Sequence, residues 1–303
     1  MTNKTHRFLA LTSIVACAWI SRPGRANTIF TDTFDRPATT VTQHQLGGPF
    51  TDDPADIGTG WVAVRSGNCN WGGIPDAHLV SGGKVEIARF GGGDWAKGAV
   101  TVTHKLAATE KAQGIQADVW FMPWYWHTYH KPGLQSNSYL VLRMQDTASG
   151  AWVLTRINAD KNAEKGDKPW LFAETIVSTD GKWPAEKNQI ARYAIGYAGA
   201  PKWPTHEEGD SWNTLDTDPD LGWITCRQSI EMHDGHLAVH YTITKGTSCI
   251  ADGWIPWNGP KQPEFDSVGF GMDFDVNTIA KDDAYNAYGK ALLDNFQAFA
   301  VDK

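Results

Sequence analysis

The densest gathering of groups able to move protons is Trp120-Phe121-Met122-Pro123-Trp124-Tyr125-Trp126-His127-Thr128-Tyr129-His130-Lys131. Taking a proton from the carbon next to a uronate carboxylate needs a base, an acid for the leaving oxygen and a group that neutralises the carboxylate. Tyr and His suit the first two roles; Arg, Gln or Asn suits the third. Tyr125, His127, Tyr129 and His130 are therefore the candidate acid and base, with Arg143 and Gln145 on the open face of a nearby strand to hold the carboxylate. The competing reading is an aromatic strand end whose histidines only make structural hydrogen bonds. The same segment could also bind without reacting, because the indoles of Trp120, Trp124 and Trp126 join apolar area to polarisable electrons that suit a sugar ring, and Asp118 adds a polar contact.

Other chemistries find less support. His127 with His130 and His236 with His240 have ligand-like spacings, but neither pair has an adjacent Cys or an evident third ligand for a transition metal. Ser81-Gly82-Gly83 and Gly91-Gly92-Gly93-Asp94 do not sit between a strand and a helix, so they read as turns, and no nucleotide or other organic cofactor is implied. A Gly-x-Ser-x-Gly elbow is missing.

These groups must be positioned by an exported scaffold. Lys4 and Arg7 precede an apolar run from Phe8 to Ile20 and the small-residue site Gly24-Arg25-Ala26, so residues 1–26 read as a secretory signal peptide and residues 27–303 as a single domain. The apolar run is about thirteen residues, short of the roughly twenty that a spanning helix needs, and no later segment qualifies. Removing the leader takes Lys4, Arg7, Arg22 and Arg25 with it, and the net charge moves from −7 to −11. That balance disfavours nucleic acid as a partner. Cys69, Cys226 and Cys249 remain, favouring a Cys226–Cys249 bridge with Cys69 as the competing partner; spacing alone does not fix connectivity.

The scaffold itself reads as β. Asp234-Gly235 between two alternating segments is a two-residue hairpin signal. Closing it at His233 opposite His236 pairs Met232 with Leu237, Ile230 with Val239 and Gln228 with Tyr241 on one face, leaving Glu231, Ser229, Arg227, Ala238, His240 and Thr242 on the other. A second hairpin runs from Tyr139 to Asp146, turns at 147–150 and returns from Ala151 to Ile157; Leu140, Leu142 and Met144 share one face, Tyr139, Arg143 and Gln145 the other. Upstream, Ile115, Ala117, Val119 and Phe121 alternate with Gln116, Asp118 and Trp120, as if in a neighbouring strand of the same sheet.

The order of these segments resembles the concanavalin-A-like and laminin-G-like jelly rolls of secreted bacterial proteins. The residues that carry the resemblance are Asp32-Thr33-Phe34-Asp35, Ala117-Asp118, Leu140 to Asp146, Asp234-Gly235, Val268-Gly269-Phe270-Gly271 and Asp294-Asn295-Phe296. It implies an all-β, two-sheet antiparallel sandwich whose terminal strands pair and whose curved face holds glycans. It also implies a structural Ca2+ bound by Asp32, Asp35 and Asp294, or else turn-capping roles for Asp35 and Asp294. The Glu-x-Asp-x-x-Glu strand of hydrolases on this fold is missing, with Glu208-Gly209-Asp210 and Glu264-Phe265-Asp266 as the nearest approaches, although acids brought together from distant loops would serve as well.

Residues 158–223 read as a long insertion with Trp170, Trp183, Trp203, Trp212 and Trp223, either covering a small satellite core or projecting as sugar platforms. The expectation is a secreted protein that binds an extracellular polysaccharide through an aromatic-lined sheet face, or cleaves it as a lyase. Neither the glycan nor the oligomeric state is legible.

Overall fold

Alternation of apolar and polar side chains turns most of the chain into strands, each of which has one face to bury. The computed structural model describes residues 26–38, 57–68, 76–80, 82–89, 97–125, 138–160, 170–197, 222–259, 261–274 and 287–301. Numbered along the chain, its strands form two antiparallel sheets. Sheet A runs β13 (Ser248–Pro256), β12 (His236–Lys245), β11 (Ile224–His233), β6 (Gly114–Tyr125), β15 (Ala287–Val301), β4 (Lys84–Arg89) and β3 (Asp76–Val80), with β1 (Ala26–Asp32) also paired to β15. Sheet B runs β10 (Ile190–Tyr197), β9 (Trp170–Ser178), β8 (Trp152–Asp160), β7 (Ser138–Gln145), β14 (Ser267–Phe274), β5 (Lys97–Lys105) and β2 (Trp61–Asn68).

The inner faces meet as a continuous core. Ile115, Val119, Ile243, Leu293 and Phe296 of sheet A pack with Val102, Leu140, Leu142, Met144, Phe270 and Met272 of sheet B. One connected set of polar groups enters this core. Thr155 Oγ1 donates to Gln228 Oε1 at 2.6 Å and lies 2.9 Å from Thr175 Oγ1, which is itself 2.9 Å from the Tyr193 hydroxyl. Gln228 Nε2 donates to the Val153 carbonyl at 3.2 Å, so the two sheets share one hydrogen-bonded bridge.

Both expected hairpins form. His233 pairs with His236, Met232 with Leu237, Ile230 with Val239 and Gln228 with Tyr241, around a turn in which Asp234 (φ 50°) and Gly235 (φ 80°) are both left-handed. In the other, Gln145 pairs with Trp152, Arg143 with Leu154 and Val141 with Arg156. The terminal strands also meet, from Ala26 opposite Val301 to Asp32 opposite Phe296.

Three expectations are corrected. Strands β6 and β7 belong to different sheets, because alternation marks a strand's buried face without saying which sheet supplies the cover. Residues 158–223 are not simply an insertion: they complete β8 and supply β9 and β10, which extend sheet B. Cys226 and Cys249 are not joined. Strand β12 separates their strands by two inter-strand spacings, roughly 9–10 Å, beyond the roughly 7 Å a disulfide spans. Cys226 also points into the core, where burial pushes its thiol pKa up to about 12, while Cys249 is exposed. Cys69, the competing partner, lies outside the described residues.

Where the terminal strands meet, Asp32 is saturated. Its Oδ1 accepts from the Phe34 N–H and Arg36 Nη1, both at 2.7 Å, and its Oδ2 from Arg36 Nη2 (3.0 Å), Thr59 Oγ1 (2.7 Å) and Trp61 Nε1 (2.7 Å). Burial alone would raise its pKa, but Arg36, Trp61, Thr59 and the Phe34 N–H together hold it below the ordinary carboxylate value. Asp32 therefore stabilises the fold above pH ~4, where the unfolded chain ionises, and that contribution fades as pH falls towards the lower folded-state pKa. Asp32→Ala should cost about 3–5 kcal/mol, read by denaturant unfolding at pH 7. The difference from the parent should shrink in acid; an unchanged midpoint at pH 7 would show that the junction holds without this carboxylate.

Candidate functional site

The side chains of sheet B that point away from the core fall into rows fixed by register. One row is Lys105, Ser267, Gln145, Trp152 and Ser178; the next is Thr103, Gly269, Arg143, Leu154 and Ile176; the third is Thr101, Gly271, Val141, Arg156, Glu174 and Arg192. Gly269 and Gly271 contribute no side chain, so the face sinks along β14 into a groove of about 260 Å³ lined by Thr101, Thr103, Arg143, Gln145, Leu154 and Ser267. The glycines are required. A Cβ on Gly269 would fall 2.3 Å from the Val102 carbonyl oxygen, and one on Gly271 would fall 2.3 Å from that of Val100.

Aromatic and cationic groups flank this floor. Trp152 and Trp183 lie 6.1 Å apart and tilted, and the Trp152 indole N–H donates to the Gly181 carbonyl at 3.3 Å. Trp183 is 55% exposed, so it offers an indole to solvent. The Arg143 guanidinium sits 5.6 Å from the Trp152 ring centroid, that of Arg156 4.9 Å from Trp183 and that of Arg192 3.8 Å from Phe172. Arg156 Nε donates to Glu174 Oε2 at 2.6 Å, and Arg192 Nη1 lies 3.7 Å from Glu174 Oε1.

The expected site residues divide between the two outer faces. Arg143 and Gln145 line the groove of sheet B. Asp118 and Trp120 lie on the outer face of sheet A, where Asp118 is cross-strand from Asp294 and Trp120 from Leu292. The structure therefore does not bring the two sets together, because they sit on opposite sides of the sandwich. Trp120 is only 7% exposed and presents little ring face. Trp124 and Tyr125 occupy the end of β6, pairing with Tyr288 and Ala287. Trp126, His127, Tyr129 and His130 lie outside the described residues. So do Trp203 and Trp212, while Trp223 is exposed beside Lys84 on the sheet A side.

The calcium reading meets a poor fit. Asp32 is filled by five donors, one pair of them from a guanidinium. Asp118 accepts from Thr225 Oγ1 (2.6 Å) and Asn295 Nδ2 (2.8 Å). The Asp294 pKa is raised, by burial first and then by the charges of Asp118 and Asp35, against the Asn295 N–H and Lys84. Among the described residues, no group of three or more His, Cys, Asp or Glu side chains is arranged to hold a metal ion. His240 is engaged otherwise: Nε2 lies 2.8 Å from Asp252 Oδ1, Nδ1 lies 3.6 Å from Glu231 Oε1, and its ring stacks 4.1 Å from Trp254.

The sequence reading missed Trp152, Arg156, Glu174 and Arg192 as members of one face. Alternation in β8 places Trp152 and Arg156 together, but the Trp- and Pro-rich composition of residues 158–223 hides β9 and β10.

The strand order and the pairing of the termini define a two-sheet antiparallel jelly-roll sandwich. No protein-family model matches the chain, and no curated protein matches it. Similar solved structures include the catalytic domain of an endo-1,3-β-glucanase from Thermotoga petrophila RKU-1, at 8% identity and TM-score 0.47, covering 92% of this chain and 100% of that one. A legume lectin-like domain from Entamoeba histolytica aligns at 10% identity and TM-score 0.41, over 79% and 90% of the two chains. An alginate lyase in complex with an alginate trisaccharide aligns at 8% and 0.34, over 77% and 98%.

Gly269→Ala should lower stability by about 1–3 kcal/mol through overpacking against backbone that cannot rotate away. Thermal unfolding checks this, and an unchanged midpoint would mean that β5 and β14 have slack.

Proposed function

We propose that this chain is a secreted protein that binds an extracellular polysaccharide along the outer face of sheet B. One observation carries the reading: a groove opened by Gly269 and Gly271 and lined by the hydrogen-bonding side chains Arg143 and Gln145, on the same outer face as Trp152 and its exposed neighbour Trp183. Sugar binding uses an apolar ring face for stacking and planar polar groups for hydroxyls, and such pockets hold few, convergent polar groups. Arg143 and Gln145 are two residues apart on β7, so the strand period points both into one groove.

A second reading, cleavage by elimination, draws on the same pair. A guanidinium and an amide side by side suit neutralisation of a uronate carboxylate, the step that acidifies the neighbouring C–H. The acid and base offered by the sequence are Tyr125, at the end of β6 in sheet A, and His127, Tyr129 and His130, which lie outside the described residues, so this reading rests on Arg143 and Gln145 alone.

Two measurements test these readings. Trp183→Ala should weaken retention on the bound polysaccharide by about 3–10-fold, the worth of one aromatic contact, in affinity electrophoresis; full retention would remove Trp183 from the site. Incubation with neutral and acidic polysaccharides, following unsaturated-uronate absorbance and reducing ends together, separates the chemistries. Growth of both signals supports the lyase reading. Reducing ends alone indicate hydrolysis, and retention with neither signal indicates binding only.

A further inference from the structure

We infer that Glu174 is a positioning residue of the proposed glycan site: acting through Arg156, it holds the Trp183 indole in the orientation that receives a sugar ring. The inference rests on the proposed glycan site and adds a residue that governs it without touching the ligand.

Trp183 depends on its neighbours because of where it sits. The connection between β9 and β10 carries it, and Asp180, Gly181 and Lys182 just before it are exposed. The backbone is tied down as far as Lys182. The Lys182 N–H donates to Asp180 Oδ1 at 3.0 Å, while the Gly181 and Lys182 carbonyls accept from the Trp152 indole N–H (3.3 Å) and Ser178 Oγ (2.6 Å). These bonds fix where the Trp183 side chain starts and leave its χ angles to what the ring meets. It meets the Trp152 ring at 6.1 Å and the Arg156 guanidinium at 4.9 Å. Trp152 and Arg156 lie roughly 13 Å apart along β8, with Leu154 between them, so a ring that reaches both stands beside Leu154, which lines the groove. The guanidinium covers one indole face, so the exposure of Trp183 lies on the opposite face and the outer edge, where a sugar ring stacks.

Arg156 orients a ring only if its own plane is set. Its Nε carries a single hydrogen, and that hydrogen goes to Glu174 Oε2 at 2.6 Å, a short charge-assisted bond that fixes the direction of the guanidinium plane. Glu174 is cross-strand from Arg156 on one side and from Arg192 on the other, with Arg192 Nη1 3.7 Å from its second oxygen. The carboxylate is thus held from both flanks. With its side chain only 9% exposed, it also lies below the surface that a polymer contacts. A carboxylate at that depth is tolerated only when paired. Its influence on a ligand therefore runs from Glu174 to Arg156 to Trp183, each link a contact in the structure.

The test is a double-mutant cycle of Glu174→Gln and Trp183→Ala, made singly and together, in affinity electrophoresis of the purified chain on a neutral β-glucan and on a polyuronate. An indole released among about three staggered χ1 rotamers is correctly placed about a third of the time, so Glu174→Gln should weaken retention about 3-fold. In the Trp183→Ala background the same substitution should leave retention unchanged, because the link it acts through is gone; a general structural loss would weaken both backgrounds alike. Arg156→Lys keeps the charge but lacks the Nε–H and the planar face, so it should repeat the pattern if Glu174→Gln proves too unstable to purify. The circular-dichroism signal of the coupled Trp152 and Trp183 rings, taken as the parent spectrum minus that of Trp183→Ala, should shrink in either variant and reads the ring's orientation without a ligand. Equal weakening in both backgrounds, or retention unaffected by Glu174→Gln and Arg156→Lys, overturns the inference while leaving the glycan site standing. Retention of neither polymer by the parent overturns the glycan site, and this inference with it.

Discussion

Strand β15 is the seam on which the sandwich depends. It runs antiparallel to β6 along most of its fifteen residues, while its other edge is shared: β4 pairs with Gly289–Leu293, and β1 with Phe296–Val301. The partner changes at Asp294 and Asn295, where the register with β6 also shifts and Asn295 takes a left-handed backbone (φ 50°). Such a bulge re-aims the strand, and here it does so without losing Leu293 or Phe296 from the core. The saturated Asp32 sits opposite Phe296, so the first strand is held by its backbone ladder and by a buried ion pair at one point. A sheet whose central strand is last in the chain cannot complete its core until the termini meet.

The two outer faces then take different characters. On sheet A, polar groups satisfy one another. Asp118 is held by Thr225 and Asn295, and His240 lies between Glu231 and Asp252 while stacked on Trp254. These carboxylates have recruited donors, and the hydrogen bond from His240 holds Glu231 below its ordinary pKa, which is a structural use of charge. On sheet B, two glycines open the floor, and Arg156 and Arg192 flank Glu174 beside an exposed indole.

Legibility followed distance along the chain. The Asp234-Gly235 hairpin and the 139–157 hairpin could be read residue by residue, because each strand's partner is its neighbour in sequence and period-two alternation fixes the register. The terminal pairing came from the resemblance of Asp32-Thr33-Phe34-Asp35 and Asp294-Asn295-Phe296 to a known class of domain, since pairing across nearly the whole chain leaves no local periodicity to read. Strands β9 and β10 were hidden among Trp and Pro residues that resemble loop composition. The Cys226–Cys249 pairing failed because sequence counts thiols but not the strand that lies between them.

What the sequence determined alone was the all-β class, the inward and outward assignment within each hairpin, and the groups capable of acid–base or sugar-binding chemistry, because all three follow from side-chain type and a period of two. Only the tertiary structure decided which faces share a side of the sandwich. It placed Arg143 and Gln145 with Trp152, Arg156 and Arg192, and put Asp118 and Trp120 on the opposite face. Alternation says that a residue points outward, but which outward face it joins depends on the sheet its strand enters, and that is settled by pairings between segments far apart in the chain.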